Sequence, residues 1–580
     1  ESGLISYKKG KFTKHGGGNF NIEFISRMDN DHLWIGTQSH GLYLYNTTNR
    51  QWKSASSELV QNTGITTISK SSSGDYFIGT ESNGLIIYSK GLFTKYTIPP
   101  FNKISTVRAI LHLSNKDVIV GTPDATYIIS NNQIKAITEL DGVAVYSLII
   151  DNKRDIWAGT TNGLWRKAYN EPLFIKRTAD ISQIHIQEVI SDRDGSIWLA
   201  TYRNGLYQLR DSKFSNITLG TGVGQLSTGS IGVLSNNQVL AGTTDGQLFE
   251  IKNGSSRPIA TKSKLSESRL YFIMEDRRKR LWISTYDGLI RIDPDGAERR
   301  YTTKEGLPEN LIRTTYEDEQ GNLWIGTRSK GIAILSQDDK VTPFKYNFRF
   351  RGKAIMSIGS DLNGGILIGI LGGGIAHLDK NQNFNIVNKS NGLKSAQVFN
   401  VRPIAYNKWL LATGNGLSIS VNNKVFNFDQ EWKFPTDAIF DAILDPTGYI
   451  WMPSNEGIIA IHLDTILNNI AKEPRPLKWN QFVTTDGLIS NDCSGATHST
   501  ISKTGEIYIP TQAGIVKISP HQTTEKARSL NPEIFSISID SIDIYPQRAL
   551  TLPPGVHKII FRFNAVNFIS PEKTEFKIKA

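Results

Sequence analysis

The chain alternates short apolar runs with polar turns, and it does so with a regular period. One complete unit has apolar runs over Leu311–Glu317, Leu323–Gly326, Gly331–Leu335 and Val341–Phe344. The runs are short and are separated by Gly, Asn and Asp, which predicts four β-strands rather than helices. The second run is apolar without alternation, which indicates a strand that is covered on both faces.

The same unit recurs along the chain. The residue that closes each second run, usually Thr, is followed by the next one after 38 to 43 residues, apart from one final step of 57. These closing residues are Thr37, Thr80, Thr122, Thr160, Thr201, Thr243, Thr285, Thr327, Ile370, Thr413, Ser454 and Thr511. A period near 42 residues suits four strands of about 5–6 residues joined by turns of about 2–6. Repeated four-stranded sheets are typical of a β-propeller.

Twelve complete repeats exceed the roughly 4–8 blades of one ring, so we predict an all-β chain with two propellers. A thirteenth, partial repeat begins at Gly3, in the middle of a blade. Two seven-bladed rings of four-stranded blades would need fourteen repeats, so one blade is absent, degenerate or shared. We predict the first propeller over residues 1–262 and the second over residues 263–522, with Tyr301 as an alternative boundary.

The repeat ends near Pro520, and a different pattern follows. Alternating strands are predicted at Ile534–Ile539 and Lys558–Phe563, with a turn-rich stretch around Pro553 between them. Residues 523–580 are therefore expected to begin an immunoglobulin-like β-sandwich. A complete sandwich of this type needs about 100 residues, so this domain is expected to be truncated.

Composition narrows the functional classes. The chain has 580 residues, a formal net charge of +11 and one cysteine, Cys493. A single cysteine excludes internal disulfides and cysteine-based zinc sites, and we expect no metal and no cofactor. No apolar run reaches the roughly 20 residues that span a bilayer. The positive charge favours acidic partners, but its one dense run, at residues 277–280, lies in a predicted turn. Without a helix-turn-helix, zinc-finger or RRM pattern, nucleic acid is not an expected partner.

These motifs carry a family resemblance. The phrase Leu323–Thr327 followed by Gly331, with Glu305–Asn310 before it, resembles the two-component-regulator propeller repeat. The tail, which contains Phe561–Ala565, is similar to the sandwich domain that follows such propellers. The repeats that end at Thr122 and Ile370 lack the tryptophan, which weakens those two blades as family matches but not the fold.

The resemblance implies the periplasmic sensor region of a hybrid two-component system. Such a region binds an oligosaccharide, is expected to be a homodimer, and belongs to an inner-membrane receptor that is anchored by segments outside this chain. Its signal would pass to a cytoplasmic histidine kinase or, in related proteins, to a diguanylate cyclase. Neither output sequence occurs in this chain, so the chain itself is expected to be no enzyme.

Residues that recur are expected to be scaffold, and residues that vary are expected to carry function. The recurring tryptophans are predicted to pack between blades: Trp34, Trp157, Trp198, Trp282, Trp324 and Trp451.

Variable residues lie in the loop between second and third strands, on the face where each first strand begins. The ligand-binding candidates there are His40, Tyr202, Arg203, Tyr286, Asp287, Arg328 and Lys330. First strands add Arg108, His185, Arg269, Arg313 and Arg402 near the central channel, and Arg313 joins the candidate set. Arginine pairs with carboxylate or sulfate, so an acidic oligosaccharide is favoured.

Three alternatives to an oligosaccharide sensor remain. A glycosidase needs two carboxylates about 5–10 Å apart, for which Asp245 or Asp287 is available without an identified partner. A polysaccharide lyase needs a base beside a cation, for which His40 and His185 qualify by residue type alone. A protein-interaction scaffold is the other alternative.

Overall fold

The computed structural model describes residues 3–8, 11–16, 20–113, 117–131, 133–177, 181, 183–210, 212, 214–220, 226–252, 254–261, 268–470, 472–495, 497–520, 532–544, 554–555, 558–565 and 574. The chain forms two compact units, unit 1 built on residues 1–211 and unit 2 on residues 212–566. Both are almost entirely β, which confirms the predicted fold class.

Unit 1 has six antiparallel sheets in its described residues. They are β1 (Ile5–Lys8) with β2 (Lys11–Lys14); β3 (Ile22–Arg27), β4 (His32–Thr37), β5 (Leu42–Asn46) and β6 (Trp52–Ser54); β7 (Ile65–Lys70), β8 (Tyr76–Thr80), β9 (Leu85–Ser89) and β10 (Leu92–Lys95); β11 (Ala109–His112), β12 (Val118–Gly121), β13 (Thr126–Ser130) and β14 (Gln133–Ala136); β15 (Val145–Ile150), β16 (Ile156–Thr160), β17 (Gly163–Lys167) and β18 (Ile175–Lys176); and β19 (Ile186–Ser191), β20 (Ile197–Thr201) and β21 (Leu206–Leu209). The first strands of consecutive blades, β3, β7, β11, β15 and β19, pack side by side.

Unit 2 contains a ring of seven four-stranded sheets. In chain order its strands are β22 (Phe214–Ile217); β23 (Thr228–Val233), β24 (Val239–Thr243), β25 (Leu248–Lys252) and β26 (Ser255–Pro258); β27 (Leu270–Glu275), β28 (Leu281–Thr285), β29 (Gly288–Ile292) and β30 (Glu298–Tyr301); β31 (Ile312–Glu317), β32 (Leu323–Thr327), β33 (Ile332–Leu335) and β34 (Val341–Pro343); β35 (Ile355–Ser360), β36 (Ile366–Ile370), β37 (Gly374–Leu378) and β38 (Phe384–Val387); β39 (Val398–Ala405), β40 (Lys408–Thr413), β41 (Gly416–Val421) and β42 (Lys424–Phe428); β43 (Ile443–Leu444), β44 (Tyr449–Ser454), β45 (Gly457–His462) and β46 (Asn480–Phe482); and β47 (Thr500–Ile501), β48 (Ile507–Thr511) and β49 (Gly514–Ile518).

The ring closes by a pairing between distant parts of the chain. Strand β22 pairs antiparallel with β49, with Phe214 opposite Ile518 and Ile217 opposite Ile515. It thereby supplies the outer strand of the sheet that β47, β48 and β49 form. Closure removes the exposed edge that an open stack would leave.

This closure corrects the predicted domain boundary. The prediction placed the blade of β23–β26 in the first propeller, with a boundary near residue 262, which itself lies outside the described residues. The structure places that blade in unit 2, directly after the closing strand, and divides the chain at Asp211. The alternative boundary at Tyr301 is wrong for the same reason. The count of thirteen blades agrees with the six sheets described in unit 1 and the seven of the ring in unit 2, whereas a seven-bladed first ring stays a prediction.

After the ring comes one further sheet. Its described strands are β50 (Glu533–Ile539), β51 (Ile542–Ile544) and β52 (Ile559–Asn564), with β50 in the middle. The two predicted strands are both present, and the immunoglobulin-like sandwich they would begin stays a prediction. Among the described residues, the complete helical elements are α1 (Leu463–Leu467) and the 3-10 turns Glu58–Val60, Thr138–Leu140, Thr303–Glu305, Asn347–Arg349, Lys389–Asn391, Gln430–Trp432 and Thr484–Asp486. No helix in the described part of the chain is long and apolar enough to cross a membrane.

The recurring tryptophan stabilises the blades that carry it by packing and, in five of them, by a hydrogen bond. Its ring packs between consecutive sheets: Trp324 shares a buried cluster with Ile355 and Ile368 of the next sheet. Its indole N–H donates to an aspartate six residues earlier, in the turn between first and second strands. The pairs are Asp151–Trp157, Asp192–Trp198, Asp276–Trp282, Asp318–Trp324 and Asp445–Trp451, at 2.7 to 2.9 Å. The Trp34 indole N–H has no hydrogen-bond partner among the described residues. The prediction that these tryptophans pack between blades is confirmed for Trp34, Trp157, Trp282, Trp324 and Trp451, and it stays a prediction for the half-buried Trp198.

The recurring threonine and glycines shape the loop after the second strand. The Thr327 hydroxyl donates to the Gly331 carbonyl at 2.8 Å, and Thr285 makes the same bond to Gly288. Gly331 has a φ of +86°, which favours glycine. Gly326 serves another purpose, because a Cβ there would lie 2.7 Å from the Ile355 side chain of the next sheet. The glycine lets consecutive blades approach closely.

We expect Trp451→Phe to destabilise unit 2 more than Trp409→Phe. Both tryptophans are 3% exposed, and both substitutions remove the same atoms. Only Trp451 donates to a carboxylate, Asp445 Oδ2 at 2.7 Å, whereas Trp409 Nε1 has no hydrogen-bond partner within the described ranges. A buried carboxylate oxygen that loses its donor costs about 1–3 kcal/mol. Denaturant unfolding followed by circular dichroism measures the difference, and equal losses in the two variants would contradict the assignment.

Candidate ligand-binding site

The first strand of most blades carries an irregularity that redirects one side chain. In unit 2 the pairing between first and second strands slips by one residue in five blades. The residues at the slip are Gly229, Tyr271, Arg313, Met356 and Phe399. A bulge of this kind re-aims the extra side chain. As a result, bulge residues of neighbouring blades can meet, as Tyr271 and Arg313 do.

Five side chains form a continuous arginine–tyrosine cluster in unit 2. The Tyr271 and Tyr286 rings lie 4.3 Å apart, centroid to centroid, with an interplanar angle of 30°. The guanidinium carbons of Arg269 and Arg313 lie 5.0 and 4.8 Å from the centre of the Tyr271 ring. The guanidinium carbon of Arg328 lies 5.6 Å from the centre of the Tyr286 ring. Two adjacent blades thus place three cations around two phenol rings.

The charge of this cluster is not balanced by carboxylates. The Nε atoms of Arg269 and Arg313 are buried without a hydrogen-bond partner, and no ion pair of Arg269, Arg313 or Arg328 occurs among the described residues. Burial, together with the hydrogen bond to Tyr286, raises the pKa of Tyr271 to about 12, so this phenol stays neutral at physiological pH. Three guanidinium groups that have cation–π contacts and, among the described residues, no carboxylate partner make an electropositive site that suits an anion.

Sequence reasoning found part of this cluster. Tyr286, Arg313 and Arg328 were candidates and are brought together, and Arg269 had been placed near the channel. Tyr271 was missed, although the signal was present: it occupies the same position in its repeat as Arg313, 42 residues later. The hydrogen bond from the Arg328 amide to the Leu311 carbonyl also confirms that the loop after the second strand lies beside the entry to the first.

The other two candidates of unit 2 are held elsewhere. The Asp287 carboxylate forms an ion pair with Arg300 of the same blade. The Lys330 backbone amide donates to the Glu309 carboxylate at 2.9 Å, and its side chain is exposed. The Asp245 carboxylate accepts from the Gln247 side chain at 2.9 Å. The structure therefore does not add Lys330, Asp287 or Asp245 to the arginine–tyrosine cluster.

Unit 1 brings a second group of side chains together. His185 stacks on Tyr202, with ring centroids 5.4 Å apart, and lies 4.7 Å from the Tyr146 ring. The guanidinium carbon of Arg203 lies 5.1 Å from the Tyr202 ring, and that of Arg108 lies 4.9 Å from the Tyr146 ring. Tyr202 and Arg203 were candidates, Arg108 and His185 had been placed near the channel, and Tyr146 was missed.

The remaining candidate of unit 1, His40, belongs to a different aromatic group. Its ring lies 5.3 Å from that of Phe20, which stacks on Tyr43 at 4.7 Å. Its Nδ1 lies 3.1 Å from the Ser39 hydroxyl. Nothing in the described part of the chain joins His40 to the Tyr202 group.

The dense basic run at residues 277–280 is part of the scaffold. Arg280 pairs with Asp276 at 2.6 Å and stacks on Trp282, while Arg277 donates to the Glu319 carbonyl of the next blade at 2.9 Å. These contacts engage the charged side chains of the basic run within the ring, as expected for a turn. No group of three His, Cys, Asp or Glu side chains suited to a metal ion occurs among the described residues.

Arg402, also predicted near the channel, is neutralised by a buried ion pair. Its Nε and Nη2 atoms donate to the two oxygens of Asp441, both at 2.7 Å, and Asp441 accepts further bonds from Asn400 and the Ser499 amide. Beside this pair, burial lowers the pKa of His498 to about 4. The group joins three blades and has no free charge to offer a ligand.

The repeats and the fold of this chain are similar to those of known proteins. Residues 306–329 match the family model for the two component regulator propeller. The chain is similar in structure to the extracellular domain of the hybrid two component system BT3049 from B. thetaiotaomicron, with a TM-score of 0.72 and 20% identity over 93% of this chain and 73% of that chain. At that identity the likeness shows a shared fold.

A curated relative matches over a shorter stretch. Histidine kinase P4 of Formosa agariphila is 29% identical over 94 residues, which are 15% of this chain and 7% of that kinase. The match thus spans a small part of the relative's length.

We expect the stability of unit 2 to fall as the pH is lowered from about 6.5 to 4. An unfolded histidine has a pKa near 6.5, and that of folded His498 is about 4. Between these values the unfolded chain binds a proton that the folded chain does not, which favours unfolding by up to ~3 kcal/mol. His498→Gln should lose this pH dependence, whereas the half-exposed His462→Gln should keep it. Urea unfolding at several pH values measures both, and a parallel decline in the His498 variant would contradict the assignment.

Proposed function

The repeats of this chain are of the two-component-regulator propeller type, and from that premise we propose that it is the extracytoplasmic sensing region of a membrane receptor. In this proposal the region lies in the periplasm, is held at the inner membrane by segments outside this chain, and acts as a homodimer. It binds an acidic oligosaccharide and signals to a cytoplasmic histidine kinase or, alternatively, to a diguanylate cyclase. The shared fold with an extracellular domain of a hybrid two component system supports the sensor role.

The observation that carries the ligand class is the arginine–tyrosine cluster. Arg269, Arg313 and Arg328 offer planar donors that match carboxylate or sulfate, and such charge-assisted bonds are stronger than neutral ones. Within the described ranges these arginines have no carboxylate partner, so a ligand would supply the missing negative charge. An acidic ligand is therefore favoured over a neutral one at this cluster.

The tyrosines favour a sugar over a small inorganic anion. Tyr286 is half-buried and lies between the buried Tyr271 and the exposed Arg328. The exposed part of the Tyr286 ring therefore lies beside the Arg328 guanidinium. A uronate or sulfated sugar could place its acid on the arginines and its ring against this surface. The cluster spans two loops and the first strands of two adjacent blades, so a ligand there would contact both blades.

Binding is favoured over catalysis because the carboxylates that a glycosidase would need are engaged. Asp287 pairs with Arg300, and Asp245 accepts bonds from its own loop. Because Arg280 and Arg277 of the basic run bond to residues of the scaffold, less of its positive charge is available to bind nucleic acid. Ligand binding could shift the receptor only by its differential affinity for two states.

The test is binding of uronate-bearing and sulfated disaccharides by calorimetry, with Arg313→Gln and a matched control, Arg300→Gln. Both variants lose one positive charge in unit 2, but Arg300 pairs with Asp287 outside the cluster. Loss of a charge-assisted bond should weaken binding about tenfold or more in Arg313→Gln and leave the control near the parent. Affinity should also fall as salt shortens the Debye length from about 10 Å at 0.1 M to about 3 Å at 1 M. Equal binding by both variants would refute this site.

A further inference from the structure

The stacked group of unit 1 forms an unbroken path of rings and guanidinium groups. It runs from Arg108 to Tyr146, His185, Tyr202 and Arg203, with successive separations of 4.9, 4.7, 5.4 and 5.1 Å. The Tyr202 amide donates to the His185 carbonyl at 3.0 Å, which fixes the loop that carries Tyr202 beside the entry to β19. Tyr202 itself is 56% exposed, so one end of the path is open to solvent.

Two buried nitrogens in this group lack a hydrogen-bond partner. They are Nε of Arg108 and Nε2 of His185. Buried polar groups are normally satisfied, and each exception calls for an explanation such as a bound molecule. Arg108 Nε can only donate, whereas His185 Nε2 can donate or accept according to its tautomer. A hydroxyl group, which both donates and accepts, suits these two nitrogens.

Carboxylates distinguish this group from the cluster of unit 2. Glu23 lies at the bulge of β3, the position that Tyr146 occupies in β15. Partial burial and the neighbouring carboxylate of Glu81 raise the pKa of Glu23, while the charge of Arg108 lowers it, so Glu81 and Arg108 both lie within electrostatic reach of Glu23. Both signs of charge are therefore present here, and an incoming anion would meet two carboxylates.

We propose that unit 1 holds a separate site for an uncharged sugar, formed by Glu23, Arg108, Tyr146, His185 and Tyr202. Hydroxyls of the sugar accept from Arg108, bond to His185 and donate to Glu23, and the apolar face of the ring packs on Tyr202. Glu23 and Glu81 disfavour acidic sugars. This site goes beyond the acid-binding function proposed for unit 2 and is independent of it.

The experiment uses the whole chain and a set of uncharged disaccharides: cellobiose, maltose, xylobiose and mannobiose. Binding at millimolar concentration is followed by calorimetry and by saturation-transfer NMR. At least one disaccharide should bind, with an affinity that changes little with salt because no net charge is paired. If none of them binds, the proposal is overturned.

Tyr202→Ala should weaken that binding about tenfold. Tyr169→Ala is the matched control: Tyr169 is 58% exposed, belongs to the same unit, and also carries an arginine over its ring, Arg154 at 5.5 Å. The control should bind as the parent does. Equal binding by the two variants, or equal loss in both, would overturn the assignment to Tyr202.

Glu23→Gln separates the two proposals. It should weaken uncharged disaccharides at unit 1 and leave uronate or sulfate binding at unit 2 unchanged. Loss of acidic-ligand binding in Arg313→Gln, with binding of uncharged disaccharides intact, would leave the unit 1 site standing. Binding of acidic ligands by the parent without binding of any uncharged disaccharide would refute the unit 1 site and leave the unit 2 site standing. Stronger binding of uncharged disaccharides by Glu23→Gln would contradict the role given to the carboxylate.

Discussion

The loops that carry the candidate residues depend on one short hydrogen bond. In four blades of unit 2 the hydroxyl of the threonine that closes a second strand donates to the carbonyl of the glycine just ahead of, or at the start of, the third strand, as Thr327 does to Gly331. The bond closes the loop without using the side chains between its two ends. Those intervening residues, such as Arg328 or Tyr286, are therefore free to differ from blade to blade. A constant backbone with variable side chains is the physical basis of a binding face on repeated scaffolds.

The positive charge of the chain is divided between two uses. Some arginines are consumed by the scaffold: Arg280 pairs with Asp276 and Arg402 with Asp441, both buried carboxylates. Arg269 and Arg313, by contrast, lie against an aromatic ring with a buried nitrogen unsatisfied. Desolvating a charge without a partner is costly. An anionic ligand could reduce this desolvation cost at Arg269 and Arg313, because it would supply the missing hydrogen-bond acceptors.

The two units use one geometric position for different chemistry. The bulge of the first strand holds Tyr271 and Arg313 in unit 2, but Glu23 and Tyr146 in unit 1. Since the backbone is the same in these blades, the difference lies in the side chains alone. One propeller architecture can in this way present an electropositive surface in one unit and a mixed surface in the other.

What the amino-acid sequence determined by itself is local. The spacing of apolar runs predicts each strand of the unit at Leu311–Phe344 to within about one residue, because alternation and turn residues act over a few positions. It also separated the scaffold tryptophans from the variable loop residues Tyr286 and Arg328. What only the tertiary structure decided depends on contacts between distant residues. The pairing of Phe214 with Ile518 sets the boundary between the units, and no local pattern encodes which distant edge a strand will close. The meeting of Tyr271 with Arg313, and of Asp287 with Arg300 instead of a second carboxylate, likewise follows from how the strands pack in three dimensions.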